Sequence, residues 1–340
     1  MVAPMSAMVG MFHPHATGDE APSTLPVEAA QRFRCNLDDQ PDHLVPRHQM
    51  AVPEQTRSSL VLNPDCWHTR GGLLPELYDQ IQLLENFELD DEILWVRDVG
   101  PSGLRPFWLG SKLKKALSGM SLRGLVPTKL PEHVLRVLTL CGVFIENDSS
   151  RANAWKETVR RCSDEFQQKG YAPIARFIHP FHVSALRRYY RRLIRMGKLD
   201  LGDIQSSLRY IAHNEPVARF FHHQLTRAVS EIAGQPLKPS YVYFASYMGG
   251  ANLPKHIDRE QCEVSITFCL DYSPEPECQT PWPIHLHTPA GKITVFQAIG
   301  DGLVYRGRQL PHSRDQLPKG HSSTSIFFHY VPVDFDGPLD

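Results

Sequence analysis

Residues 241–258 read YVYFASYMGGANLPKHID. The first seven are β-branched, aromatic or small, the composition of a strand, and Gly249-Gly250 marks a turn. His256 and Asp258 follow, two positions apart. On extended chain such residues point to the same side. The pair is either two ligands of a metal or a polar patch at a strand end, and a third ligand elsewhere decides between them.

Downstream, the segments CEVSITFCLDY (262–272), PIHLHT (283–288), KITVFQA (292–298), GLVYRG (302–307) and TSIFFHYV (324–331) are short, β-branched or aromatic, and separated by Gly, Pro and Asp. They predict an all-β half that closes into a sandwich or jelly roll. Within it, AIGDGLVYRGRQLPHSRD (298–315) places a Gly-Asp turn and a strand before His312. Two strand ends meeting at the barrel mouth would bring His256, Asp258 and His312 together. Two imidazoles and one carboxylate then fill one face of an octahedron, an arrangement that suits Fe(II) and leaves positions open.

These stretches resemble the non-haem Fe(II), 2-oxoglutarate-dependent oxygenases, nearest the prolyl hydroxylase-like branch. VARFFHHQLTRAVSEIAG (217–234) is similar to the helix before that family's double-stranded β-helix. VYFASYMGGANLPKHID and GDGLVYRGRQLPH resemble its HxD and distal-histidine stretches. The resemblance covers about a third of the chain, residues 217–330. It implies iron held by His256, Asp258 and His312, with 2-oxoglutarate and O2 as co-reactants. Tyr247 falls where the family can place a tyrosine near the cosubstrate carboxylate. The fold it implies is α+β: a double-stranded β-helix core with packing helices, preceded by a mainly helical region.

The family carries an Arg or Lys on the last core strand to clamp the distal carboxylate, and here that region reads KGHSSTSIFFHYV. Lys319 falls early, in a loop, while His321, Ser323, Ser325 and His329 follow. A guanidinium forks onto a carboxylate better than an imidazole does. Arg314 is therefore the first candidate, with Arg306 and His321 behind it. Nearby, Arg259 and Glu263 have the spacing of an i, i+4 ion pair or could bind a polar substrate. Trp282 packs beside the barrel or forms a substrate shelf. His285 and His287 line a cavity or an exposed strand face.

Three segments are expected: an irregular stretch over 1–60, a mainly helical region over 61–165, and an oxygenase domain over 166–340. LLPELYDQIQLLENF has helical spacing at Leu74, Leu77, Ile81 and Leu84. Pro131 opens a second helix with Val134, Leu135, Leu138 and Cys141 on one face, a break at Gly142, and the short strand VFIE. This rhythm suits a winged-helix module for peptide or nucleic acid, or a helical prefix that only packs on the main domain. In HVSALRRYYRRLIRMGKL, Leu186, Tyr189, Tyr190, Leu193 and Ile194 form the apolar stripe; Arg187, Arg188, Arg191, Arg192 and Arg195 read as a solvated face. Asn214 and Gly234 bracket the next helix as cap and stop, and His222 and His223 within it read as structural.

The chain has 340 residues, 36 basic against 37 acidic and net charge -1, so nothing in the balance draws it to nucleic acid or membrane. Seventeen histidines keep metal chemistry in view. Seven scattered cysteines without a CxxC disfavour a disulfide framework and a zinc knuckle, and a reducing cytoplasmic setting fits. The first residues, MVAPMSAMVGMFHPH, lack the basic and apolar regions of a signal peptide. The expected activity is oxidation, by default hydroxylation, of an unactivated C–H bond in an amino acid, peptide or natural-product intermediate. A leader peptide or carrier protein would be met by the N-terminal region. The rival expectations are a non-catalytic cupin-like regulator with a winged-helix prefix, and an oxygenase acting on nucleic acid.

Overall fold

The computed structural model describes residues 32–39, 54–97, 100–101 and 103–340. The irregular segment expected over 1–60 falls mostly outside them. The N-terminal half contains α1 (Glu54–Arg57), β1 (Leu60–Leu62), β2 (Cys66–Arg70), β3 (Glu92–Arg97), β4 (Leu104–Trp108), α2 (Ser111–Ala116), α3 (Glu132–Leu140), β5 (Phe144–Glu146) and α4 (Ser150–Lys169). It is a mixed region rather than a mainly helical one. EILWVR is the central strand of a three-stranded antiparallel sheet, pairing with β2 on one side and with LRPFW on the other, and β1 pairs with β5. Their β-branched and aromatic side chains fit a pleated, buried surface.

The second half begins with β6 (Tyr171–Ile174), α5 (Pro180–Arg195), β7 (Asp200–Leu201), β8 (Arg209–His213) and α6 (Pro216–Ala233). It continues with β9 (Leu237–Met248), β10 (Leu253–His256), β11 (Val264–Ser273), β12 (Ile284–Thr288), β13 (Gly291–Val295), β14 (Gly302–Tyr305), β15 (His312–Arg314) and β16 (Ser322–Pro332). Seven strands form one antiparallel sheet in the order β6-β14-β11-β16-β9-β8-β7, and four form a second in the order β10-β15-β12-β13. Each downstream segment read as a strand is a strand.

One face of the large sheet is covered by α5 and α6. Val264, Ile266, Phe268 and Leu270 alternate along β11 toward that face and join a core shared with both helices. The same core takes in Phe33, Leu94, Trp108 and Leu135 from the N-terminal half. Phe33 alone meets Phe87, Trp108, Tyr189 and Phe221 edge-on. The opposite face looks toward the small sheet. Two smaller clusters bridge the gap: Tyr247 and Tyr272 with Trp282 and Leu317, and Leu303 and Tyr305 with Ile284 and Leu286.

Several local readings hold. α3 buries Val134, Leu135 and Leu138, and Gly142 ends it with φ 88°. α5 buries Leu186, Tyr189, Tyr190 and Leu193. Gly234 closes α6 with φ 68°. Others differ. Pro75–Leu84 forms two 3-10 turns broken at Gln80 instead of an α-helix, so Ile81 rotates out and is 56% exposed. The α6 cap is Glu215, whose carboxylate accepts from the Ala218 N–H, while Asn214 adopts a positive φ and accepts from Val242 N–H. Glu215 also accepts from Tyr189, Tyr190 and Asn86, tying α5, α6 and the N-terminal half together. The arginine face of α5 is not simply solvated. Arg187 is buried and pairs with Asp271 and Glu275; Arg191 pairs with Asp271 too.

Candidate metal and cosubstrate site

The register of the small sheet assembles the site. His256, the last residue of β10, lies opposite His312, the first of β15, with ring centroids 4.3 Å apart. Asp258 follows in the turn, its N–H bonded to the Gly307 carbonyl at 3.0 Å. One ligand atom from each of the three lies within 4.8 Å of the others. Asp258 Oδ1 stands 3.7 Å from His256 Nε2 and 3.5 Å from His312 Nε2. Each imidazole has its Nδ1 on a backbone carbonyl, Pro254 at 2.8 Å and Leu310 at 3.0 Å. A carbonyl accepts only, so Nδ1 carries the proton and both Nε2 lone pairs face the carboxylate. Burial, together with the neighbouring His256, holds the His312 imidazole below its ordinary pKa against the opposing pull of Asp258, which keeps that lone pair free. No metal is present; the donor set and tautomers fit a divalent transition ion.

Behind the triad, the inner face of the large sheet is polar. Ser265, Cys269, Ser325 and Tyr247 occupy it by alternation and register. Arg314 shares the side of β15 that His312 uses, and is 5% exposed. Its guanidinium donates to the Trp282 carbonyl at 2.6 Å and weakly to Gln297 Oε1 at 3.4 Å, and lies 4.7 Å over the Trp282 ring. Its Nε has no partner. No described carboxylate pairs with it, and burial pulls its pKa down while only Tyr247, Cys269 and Tyr305 oppose that pull. An uncompensated charge held away from water is costly, so this is a place where an anion is wanted. Arg209, 2% exposed and close by, makes the contrast: it is already paired with Asp203. Arg209 donates to the Tyr247 hydroxyl at 2.7 Å, which leaves the phenol proton available for an acceptor.

Other expected residues lie elsewhere. Arg306 does not reach this space: its guanidinium stacks on Phe166 at 4.8 Å and donates to Gln167, on the α4 side of the sheet. His321 bonds the Tyr272 hydroxyl at 2.8 Å. Arg259 and Glu263 do not pair. Arg259 covers the Tyr241 ring, and Glu263 pairs with Arg308. His285 is buried between Thr294 and Asp315, and His287 bonds Ser313, so neither is a loose strand-face group. Trp282 packs beside the barrel as the floor under Arg314.

Asp258, Cys262 and His329 form a second ligand-rich group. Here burial pushes the Cys262 thiol up to about 12 and it bonds Tyr241, while burial pushes the His329 imidazole down to about 4. Neutral, hydrogen-bonded partners make this a packed polar cluster. Arg209, Gln297, Ser265 and Tyr305 carry no local sequence signal; Arg209, Ser265 and Tyr305 sit at alternating inward positions of β8, β11 and β14, a pattern visible once strand registers are known.

No known family description and no curated relative matches this sequence. Solved structures do resemble part of it. A Pseudomonas putida prolyl-4-hydroxylase is 20% identical, covering 51% of this chain and 98% of its own, with TM-score 0.43. HygX from Streptomyces hygroscopicus, solved with nickel, 2-oxoglutarate and hygromycin B, is 16% identical over 52% and 88%, with TM-score 0.42. SnoN, a non-haem α-ketoglutarate-dependent epimerase of nogalamycin biosynthesis, is 12% identical over 52% and 82%, with TM-score 0.44. At that level of likeness the weight falls on the residues themselves.

Proposed function

We propose that this protein is a 2-oxoglutarate-dependent Fe(II) dioxygenase built on a double-stranded β-helix, which hydroxylates an unactivated C–H bond of an amino acid, peptide or natural-product intermediate. One observation carries the reading: a buried guanidinium with no counter-anion among the described residues, Arg314, stands on the same strand face as a member of a two-histidine, one-carboxylate cluster.

His256, Asp258 and His312 hold the iron. The bound metal, with 2-oxoglutarate and O2, supplies an oxidant able to take hydrogen from a C–H bond, with succinate and CO2 as co-products. Arg314 receives the distal carboxylate through its free Nε edge, and Tyr247 donates its phenol proton to the same group. Trp282 and Gln297 fix the guanidinium plane, and Arg209 fixes Tyr247. His256 is the most exposed ligand, 26% against 3% for His312, so substrate reaches the centre from its side.

A small molecule or short peptide suits this opening. Contact with a leader peptide or carrier falls to the N-terminal half, which has a cavity of about 260 Å3 between His68, Leu94, Lys114 and Leu125. A nucleic-acid substrate is disfavoured, because Arg187 and Arg191 are paired with two carboxylates, Asp271 and Glu275. Among the described residues no helix is long and apolar enough to cross a membrane. Seven free thiols suit a reducing, cytoplasmic setting.

Anaerobic titration with Fe(II) and then 2-oxoglutarate tests the assignment. A weak visible charge-transfer band is expected on adding the keto acid. A metal-loaded protein that shows no band and makes no succinate in air is not this enzyme.

A further inference from the structure

The two oxygens of Asp258 are held differently. Oδ1 faces the Nε2 atoms of His256 and His312. Oδ2 accepts a 2.7 Å hydrogen bond from Ser265 Oγ, with the Tyr305 hydroxyl at the limit of reach, 3.5 Å. A serine hydroxyl has one proton, and here it goes to the carboxylate. The 2.9 Å contact between Ser265 Oγ and His329 Nδ1 is then a bond that His329 donates. The result is a directional chain, His329 to Ser265 to Asp258.

The surroundings hold this chain rigid. Ser265 and His329 face each other across β11 and β16, and they are 0% and 5% exposed. The His329 backbone carbonyl accepts from His222 Nε2 at 2.7 Å, which pins β16 to α6 at that point. Gly307 makes the close approach feasible. A Cβ there would stand 2.4 Å from both Asp258 Oδ2 and Ser265 Oγ. Its carbonyl also takes the Asp258 N–H. Three separate strands or strand ends thus converge on one carboxylate oxygen, the one that does not face the histidines.

We infer that Ser265 and His329 are positioning residues that occupy Oδ2, so that Asp258 presents Oδ1 alone to the metal and ligates through one oxygen. This rests on the reading of His256, Asp258 and His312 as a metal centre. A carboxylate free to swing would bind through both oxygens or turn away, and either change takes up or loses a coordination position.

The test is metal binding by the full-length protein, without turnover. Co(II) and Fe(II) are titrated anaerobically into wild type and into the Ser265→Ala, His329→Leu, His329→Asn and Asp258→Ala variants. Circular dichroism confirms the fold of each. Ser265→Ala and His329→Leu are expected to weaken metal binding by roughly ten- to a hundredfold, the range for partners that orient a ligand. They should also shift the Co(II) visible bands, which report coordination number. Asparagine keeps an N–H near the Nδ1 position, so His329→Asn should restore affinity to within about threefold of wild type and restore the bands. Wild-type affinity and unchanged bands in Ser265→Ala and His329→Leu would overturn the inference, as would His329→Asn behaving like His329→Leu. Failure of the underlying reading looks different: wild type would not take up Co(II), or Asp258→Ala would bind it as tightly as wild type.

Discussion

Replacing Arg314 with Met probes the cosubstrate end of the site most directly. The shorter methionine keeps the unbranched apolar stem but loses the charge, the unpartnered Nε and the bonds to Trp282 and Gln297. Truncating one partner of a buried charged contact costs about 2–5 kcal/mol. The lower part of that range applies, because Tyr247 still offers its hydroxyl. A loss of about 3 kcal/mol raises the dissociation constant for 2-oxoglutarate roughly a hundredfold. The free variant, however, should not be less stable by more than about 1 kcal/mol, because removing an uncompensated buried charge offsets the lost bonds. Two assays read this out: anaerobic titration of the iron-loaded protein, and thermal unfolding with and without the keto acid. Ligand at about a hundred times its dissociation constant stabilises the native state by about 2.7 kcal/mol, so wild type should show a clear rise in Tm that Arg314→Met lacks. Arg306→Met is the control and should bind as wild type. Equal 2-oxoglutarate affinity in wild type and Arg314→Met would refute the reasoning, and so would a larger loss in Arg306→Met.

Other outcomes follow from the same geometry. Asp258→Ala should abolish turnover and stoichiometric iron binding, measured by metal analysis after gel filtration. Gly307→Ala should do nearly the same with the ligands intact, since its methyl would press on Asp258 Oδ2. Glu215→Ala strands two phenols, an amide and a helix N–H that now share one carboxylate. A loss of about 3 kcal/mol in urea unfolding is expected for breaking such a buried charged network. His182 is held neutral by burial, its pKa lowered to about 3. An unfolded chain takes up that proton near the ordinary value of 6.5. The stabilisation from keeping it neutral is therefore full above pH 6.5 and is lost as pH falls from there toward 3. The slope is at most about 1.4 kcal/mol per pH unit, so His182→Gln should flatten the acid limb of the unfolding free energy, measured by urea titration across pH, by up to that amount.

The β half was legible because its signals are local. Strand composition, the Gly249-Gly250 turn and the HxD spacing all lie within a few residues of one another. His312 needed only the assumption that two strand ends meet, which the pairing of His256 with His312 now supplies. The proposed anion clamp is harder to find. Arg306 and Arg314 look alike in sequence, and what separates them is which face of a strand each occupies and whether a partner waits there. Phe166 and Gln167 for Arg306 come from a helix far earlier in the chain. The arginine face of α5 escapes a local reading for a similar reason: Asp271, which pairs with both Arg187 and Arg191, arrives from β11. Residue type alone makes Asn214 the cap, but a positive φ turns its side chain toward β9 and passes the role to Glu215.

Phe33 touches aromatic rings from the segment before β3, from β4, from α5 and from α6 at once. It makes the two halves one cooperative unit. A chain cut before β6 would leave the outer surface of α5 and α6 greasy and uncovered, and would be prone to clump before it could ever be assayed. Swapping this N-terminal half for that of another protein is therefore a problem of matching one aromatic plug and its socket, not of joining two self-sufficient parts with a linker.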